Sequence, residues 1–127
     1  MTFNGYKWVY CAEDVVSVAM KIERMGYGLH GHDVNVKLCV CASKKGILDL
    51  ETLKAILRDV TGSITHRPLW EVTGKDDSLI EDLLIYVRDR VSERLNRDNE
   101  GLDVCLVKGI TGGGVEVSMT LRSFECD

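Results

Sequence analysis

Alternation of apolar and polar side chains is clearest in residues 33–41. Every second residue there is valine or leucine, at Val34, Val36, Leu38 and Val40. A period of two places successive side chains on opposite faces of a strand, so this segment predicts a half-buried β-strand. Cys39 and Cys41 fall together on the face opposite the valines.

A second segment, residues 6–18, is rich in aromatic and β-branched side chains, which favour a pleated, half-buried surface. It predicts a first strand with a bulge near Glu13 and Asp14. Two later segments, residues 103–108 and 115–122, predict a closing pair of strands around the glycine-rich turn of residues 109–114.

Two stretches between these strand pairs have apolar residues at helical spacing. The first follows Asp49, a good N-cap residue, and is predicted to end at Gly62. The second follows Ser78 and Glu81, which match a Ser-x-x-Glu capping box, and extends to Leu95. The predicted order of elements is β-β-α-α-β-β, an α+β fold.

Length and charge narrow the class of protein. A chain of 127 residues suits one domain, residues 1–127. The net charge of -4, from 16 basic and 20 acidic residues, offers no attraction for nucleic acid or an anionic membrane. Without an apolar span or a signal-peptide pattern, the cytoplasm is the predicted location.

The cysteines are Cys11, Cys39, Cys41, Cys105 and Cys126. Their number is odd and no Cys-x-x-Cys pair occurs, so the pattern is typical of reduced thiols. Cys39 and Cys41 could help to hold a soft metal, although cysteines in strands more often pack as small hydrophobic residues.

The sharpest chemical feature is His30-Gly31-His32-Asp33 at the start of the alternating strand. Residues two apart on a strand share a face, so both imidazoles could reach one cation, and neutral imidazole suits zinc. A catalytic zinc site takes three protein ligands, and this pair supplies two. The alternative is that both histidines hydrogen-bond to backbone or water beside a turn.

The order of these motifs resembles the 6-pyruvoyltetrahydropterin synthase and 6-carboxytetrahydropterin synthase family. The matching segments are His30-Gly31-His32-Asp33, Gly46-Ile47-Leu48-Asp49-Leu50, Thr65-His66-Arg67-Pro68-Leu69 and Glu81-Asp82-Leu83. The resemblance implies the tunnelling fold, an antiparallel four-stranded sheet with two helices on one face. Such sheets close into an oligomeric barrel, so a trimer or hexamer is expected, with His30, His32 and His66 near an interface.

The resemblance also implies a zinc site that this chain has partly lost. His30 and His32 carry over as metal ligands, but Met20 stands where the third histidine is expected. A thioether is soft, uncharged and poorly matched to zinc. Glu23 is a nearby carboxylate and the candidate to substitute for it. Zinc is therefore expected to bind weakly or not at all.

The family's catalytic residues are replaced as well. Gly26 occupies the position of the catalytic cysteine, so the thiolate base is missing. The Asp-His dyad becomes Thr65-His66, which leaves His66 as the remaining candidate for acid-base catalysis, unless it is only a loop histidine.

A fourth departure concerns the glutamate that grips a pterin in the family. It would follow Val107-Lys108, where this chain has Gly109. Glu116 or a carbonyl of residues 110–114 could compensate, and Gly112, Gly113 and Gly114 form either a backbone cradle or a loose turn. No substrate-binding residue can be assigned.

Three functions remain open. The first is a paralog that binds a pterin or purine derivative, such as one of a queuosine or folate-type pathway, without the standard lyase activity. The second is a zinc-dependent enzyme acting on a pterin-type heterocycle through His66. The third is a structural α+β domain with no metal or pterin role. The expected partners are a small heterocyclic ligand and further copies of the chain.

Overall fold

The computed structural model describes residues 8–22, 26–96 and 101–120. Its elements in chain order are β1 Trp8–Ile22, β2 Tyr27–Ala42, α1 Leu50–Ile64, β3 Arg67–Pro68, α2 Leu69–Thr73, α3 Ile80–Asn96, β4 Leu102–Thr111 and β5 Glu116–Thr120. The α+β class is confirmed. None of the helices in these ranges has the length and apolar character that crossing a membrane would require.

The sheet differs from the predicted one at its edge. The four long strands are antiparallel neighbours, as expected, but the strand order is β3-β1-β2-β4-β5. The two-residue β3 pairs in parallel with Val18 and Ala19, so the sheet is mixed and five-stranded. The short helix α2 follows β3 directly, so the described residues contain three helices where two were predicted. These additions are too short to leave a periodic signal in the sequence.

The long pairing of β1 with β2 sets the frame of the sheet. Its register is continuous from Trp8 opposite Ala42 to Met20 opposite His30. The bulge predicted near Glu13 and Asp14 is therefore wrong, and the only irregularity in the described pairs of these two strands lies between Met20 and Ile22. The charged side chains of Glu13 and Asp14 interrupt the apolar pattern without interrupting the ladder.

One face of the sheet is buried under α1 and α3. Residues of even number on both long strands point to it, among them Val16, Val18, Val34, Val36 and Leu38, all at most 3% exposed. They meet the apolar stripes of the two helices, which include Leu53, Leu57, Ile64, Leu83, Leu84 and Val91. Burying these stripes is the main source of the fold's stability.

The helix termini follow the predictions only in part. Asp49 caps α1 as predicted, because its carboxylate accepts from the Thr52 backbone N–H at 3.1 Å. The helix continues through Gly62 to Ile64, so the predicted end is two residues short. At α3 the Ser78 hydroxyl instead donates to the Lys75 carbonyl, and Asp82 accepts from the Leu79 N–H.

The opposite face of the sheet carries the residues of odd number on β1 and β2 and lies away from the helices. Tyr10 is not among them, because its register with Val40 places it on the helix side, where it packs against the core. Val9 and Val15 do lie on this open face and are 42% and 57% exposed. The open face is thus less aromatic than strand β1 alone suggests, but it retains apolar surface.

Four cysteines on the open side form two disulfides. Cys11 joins its register partner Cys39, and Cys41 joins Cys105, so β2 is linked covalently to both neighbouring strands. The bulge of β4 opposite Cys39 and Val40 contains Cys105 as its extra residue. The interpretation of these four residues as reduced thiols is therefore wrong, because the spacing of cysteines does not show which ones meet across strands. Cys126 lies outside the described residues.

We expect the Cys41→Ala and Cys105→Ala double variant to lose about 2–4 kcal/mol of unfolding free energy, because that disulfide closes a loop between residues 64 positions apart. Urea unfolding without reductant measures the loss. Reductant also opens the Cys11–Cys39 disulfide in both proteins, so the difference in unfolding free energy between parent and variant should then largely disappear. An equal gap between them with and without reductant would show that the disulfide does not contribute.

Candidate functional site

Two cavities meet at His32, near the end of the sheet where β1 turns into β2. The first, named here the histidine-pair cavity, has a volume of about 670 Å³ and is lined by Met20, Gly26, His30, His32, Ile80 and Glu81, among others. The second, the His66 cavity, has a volume of about 560 Å³ and is lined by Ser17, His32, Asp33, His66, Gly112 and Gly113, among others. The three histidines of the sequence thus line two adjoining cavities.

The two histidines of the His-x-His motif share one face of β2, as predicted. Their ring centroids are 4.8 Å apart, and the planes are nearly perpendicular, at 84°. The His30 Nδ1 lies 2.7 Å from the Gly28 carbonyl oxygen, a contact that orients the ring. In this contact Nδ1 is the donor, because a carbonyl oxygen only accepts.

Met20 lies where the resemblance expects the third histidine. It is the register partner of His30 across β1 and β2, it lines the histidine-pair cavity, and it is 2% exposed. Side chains of directly opposed residues in an antiparallel pair project to the same face. The thioether is therefore built into the same surface as the two imidazoles.

Gly26 also lies beside this cavity, at the position expected for the catalytic cysteine. Its φ of +76° is in the left-handed region, which favours glycine over any residue with a side chain. No described cysteine lines either cavity. Glu23, the carboxylate considered as a substitute ligand, lies outside the described residues.

Glu81 is a member of the cavity wall that sequence reasoning did not assign to the site. It lies in the first turn of α3 and lines the histidine-pair cavity from the helix side. In the sequence, the match of Glu81-Asp82-Leu83 to a family motif was the one sign that Glu81 belongs to the site. The helical pattern does not show that the start of α3 lies beside His30 and His32.

His66 occupies a strained position on the other side of His32. Its φ is +65°, and within the described residues it is the one residue other than glycine with a positive φ. Its backbone N–H donates to the Ser17 carbonyl at 2.6 Å. The Thr65 hydroxyl accepts from the Ser17 N–H at 3.0 Å, so Thr65 serves the backbone instead of orienting the imidazole as an aspartate would.

A different carboxylate lies in the His66 cavity. Asp33 accepts a 2.6 Å hydrogen bond from the Ser17 hydroxyl, which fixes its carboxylate at the cavity wall. Its carbonyl accepts from the Gly112 N–H at 3.2 Å, so the glycine-rich turn is tied to the same residue. The turn therefore serves both as a hairpin connection and as part of the cavity lining.

The position of the expected pterin-binding glutamate is closed by packing. A Cβ added to Gly109 would come 3.0 Å from the Val34 side chain and 3.2 Å from that of Leu84. Any larger side chain would have to displace these two core residues. Glu116 does not compensate, because it pairs with Lys108 at 3.1 Å and lines neither cavity.

The donor set of the histidine-pair cavity does not fit zinc well. Among the residues that the structure describes, no group of three or more His, Cys, Asp or Glu side chains is placed to hold a metal ion. Two imidazoles suit zinc, but a tetrahedral site needs a third strong ligand, and the buried thioether of Met20 is a poor one.

Comparison with known proteins identifies the fold. No family model matches the sequence, and no curated protein matches it. Among solved structures, the chain is similar to 6-pyruvoyl tetrahydropterin synthase from Caenorhabditis elegans, with a TM-score of 0.70 over 92% of this chain and 99% of that one. The sequences are 18% identical over the aligned residues, so this likeness concerns the fold.

The expectation from the four sequence motifs is therefore confirmed at the level of architecture: the chain has the fold of a 6-pyruvoyl tetrahydropterin synthase, in strongly divergent form.

Proposed function

We propose that the chain is a divergent member of the 6-pyruvoyltetrahydropterin synthase family that binds a pterin or purine derivative without the standard synthase activity. One observation carries the proposal. A cavity is present beside His30 and His32, while Met20 and Gly26 line it at the positions where the resemblance expects a third metal ligand and a thiolate base.

The cavity suits a small heterocycle. A volume of about 670 Å³ is within the usual range for small-molecule sites, and its wall is largely apolar. Glu81 provides a carboxylate that can accept from the amino and ring N–H groups of such a ligand. Because Gly109 leaves no room for an anchoring side chain, we assign the role of acidic anchor to Glu81.

We propose that this protein binds zinc weakly or not at all. The imidazoles of His30 and His32 would hold it, but the thioether of Met20 would not complete the site. No reaction step is therefore assigned to a metal in this protein.

A second candidate function, an enzyme acting on a pterin-type heterocycle, is supported by His66. Strained backbone at a residue other than glycine is often retained for the sake of its side chain. Here the exposed His66 shares a cavity with His32 and with the carboxylate of Asp33. Imidazole is the side chain that most often serves as a general acid or base in enzymes.

Assembly is the other part of the proposal. Among the described strands, β1 has no neighbour on its outer side over residues 8–16, and β5 has none on its outer side. Unpaired edges of this length, beside an open face that exposes Val9 and Val15, invite pairing with another copy. Joining β5 of one copy to β1 of the next closes a ring in which every interface is equivalent.

The predicted cytoplasmic location stays a proposal. The two disulfides suit an oxidising compartment or the cytosol of a hyperthermophile, where intracellular proteins are rich in disulfides.

The protein should bind a pterin but should form no tetrahydropterin product from dihydroneopterin triphosphate, because Gly26 supplies no thiolate. Fluorescence titration measures binding, and product analysis measures turnover. Glu81→Ala should weaken pterin binding about tenfold or more. Glu93→Ala, on the exposed side of the same helix, is the matched control and should bind normally. Turnover lost on His66→Ala would establish the enzyme instead, and failure to bind pterin would refute the proposal.

Replacing His66 separates backbone strain from side-chain function. We expect His66→Gly to be more stable than His66→Ala by about 1 kcal/mol, because glycine adopts a positive φ without steric cost. Chemical denaturation of both variants checks this. If the alanine variant is the more stable one, the left-handed conformation of His66 is not a source of strain.

In solution we expect a trimer or hexamer, because the outer edges of β1 and β5 need partners. Light scattering at micromolar concentration gives the mass directly. A stable particle of 14.2 kDa, the mass of one chain, would contradict the assembly.

A further inference from the structure

The two disulfides on the open side of the sheet differ in their access to solvent. Cys11, on the edge strand β1, is exposed, whereas its partner Cys39 is only 2% exposed. Cys41 and Cys105, which form the second disulfide, are each 1% exposed. A dissolved thiol can therefore reach Cys11 in the folded protein, while the other three cysteines offer almost no accessible surface.

The buried members of the two disulfides are in contact with each other. Cys39, Cys41 and Cys105 belong to one buried cluster. The Cys105 Sγ lies 3.4 Å from the Cys39 carbonyl oxygen. This contact arises because Cys105 is in the bulge of β4, next to the register partner of Cys39, Leu106. Cys39 is thus bonded to the exposed cysteine and also lies against the buried disulfide.

We propose that the four cysteines form a relay through which an external dithiol reduces the buried Cys41–Cys105 disulfide. Disulfides exchange when a thiolate attacks one sulfur and displaces the other as a thiolate. In the first step, one thiolate of the dithiol bonds to Cys11 and displaces the Cys39 thiolate. The second thiolate of the dithiol then attacks the sulfur of the first and displaces Cys11. The reductant leaves as its own disulfide, and Cys11 and Cys39 are both reduced.

The Cys39 thiolate carries the reduction inward. It bonds to Cys105 and displaces the Cys41 thiolate, which takes up a proton. Attack on Cys41 is less suitable, because residues two apart on a strand have Cα atoms about 6.6 Å apart, near the upper limit for a disulfide. The Cys11 thiolate then bonds to Cys39 and displaces Cys105, which takes up the second proton. One dithiol has been oxidised, Cys41–Cys105 has been reduced, and the exposed disulfide has re-formed.

The relay goes beyond the proposed function and does not depend on it. No described cysteine lines either cavity, so the exchange requires no pterin. Its consequence is that the covalent link between β2 and β4 responds to a dithiol that does not touch that link directly.

Reduction of the folded protein by dithiothreitol, without denaturant, tests the relay. Every protein carries Cys126→Ser so that this cysteine cannot enter the exchange. At intervals the thiols are blocked with excess N-ethylmaleimide in denaturant, and peptide mass spectrometry locates them.

The decisive comparison is between the parent and Cys11→Ala/Cys39→Ala. We expect Cys41–Cys105 to open at least about tenfold more slowly in the double variant, because it has no exposed sulfur from which the reduction can pass inward. Loss of a disulfide by itself predicts the opposite, since a less stable protein exposes its interior more often.

The single variant Cys11→Ala isolates the inner step, because it leaves Cys39 as a free thiol beside the second disulfide. In the absence of reductant we expect part of the thiol label at Cys41, with Cys39 bonded to Cys105. A label confined to Cys39 would overturn the relay. Opening of Cys41–Cys105 in the double variant at the rate of the parent or faster would overturn it as well. Neither result affects the pterin titration, and a protein that binds no pterin but shows both expected results would refute the proposed function while supporting the relay.

Discussion

The register between β1 and β2 is the constraint on which the rest of the molecule depends. These are the two longest strands, and their pairing is continuous from Trp8 to Met20. Because side chains alternate with a period of two, a slip of one residue would exchange the two faces of a strand. The observed register sends valines toward the helices, pairs Cys11 with Cys39, and sets Met20 opposite His30. The buried core, the Cys11–Cys39 disulfide and the candidate site therefore all depend on this register.

The candidate site is formed where this ladder extends toward the turn between the strands. Val18 and Val34 are buried in the core, whereas His32 and His30, farther along, line cavities. The start of α3 and the glycine-rich turn after β4 complete the walls. The strands provide rigid positions for the side chains of the candidate site, and the surrounding loops complete its walls, a division common to many enzyme folds.

The sequence predicted those features that depend on local periodicity. The long strands, both main helices and the shared face of His30 and His32 follow from spacings of two or of three to four residues. The extra strand at Arg67–Pro68, the disulfide partners and the place of Glu81 in the site depend on contacts between distant segments, which periodicity does not encode. The capping box of Ser78 did not form because the preceding turn uses its hydroxyl, and Asp82 caps the helix instead.

The residues that stand in place of the expected site residues differ from them in packing as well as in chemistry. A Cβ added at Gly109 would come 3.0 Å from Val34 and 3.2 Å from Leu84, so the core leaves little room where an anchoring glutamate would start. Met20 is likewise part of the core cluster and not an unfilled ligand position. A site that had merely lost its anchoring glutamate would retain space for that side chain. At Gly109 the side chains of Val34 and Leu84 take up this space, whereas a Cβ at Gly26 would meet nothing within 4 Å. The cavity is lined by a different acidic residue, Glu81, in the first turn of α3. This argues that the site has been rebuilt around a different set of contacts, with the fold kept as its support.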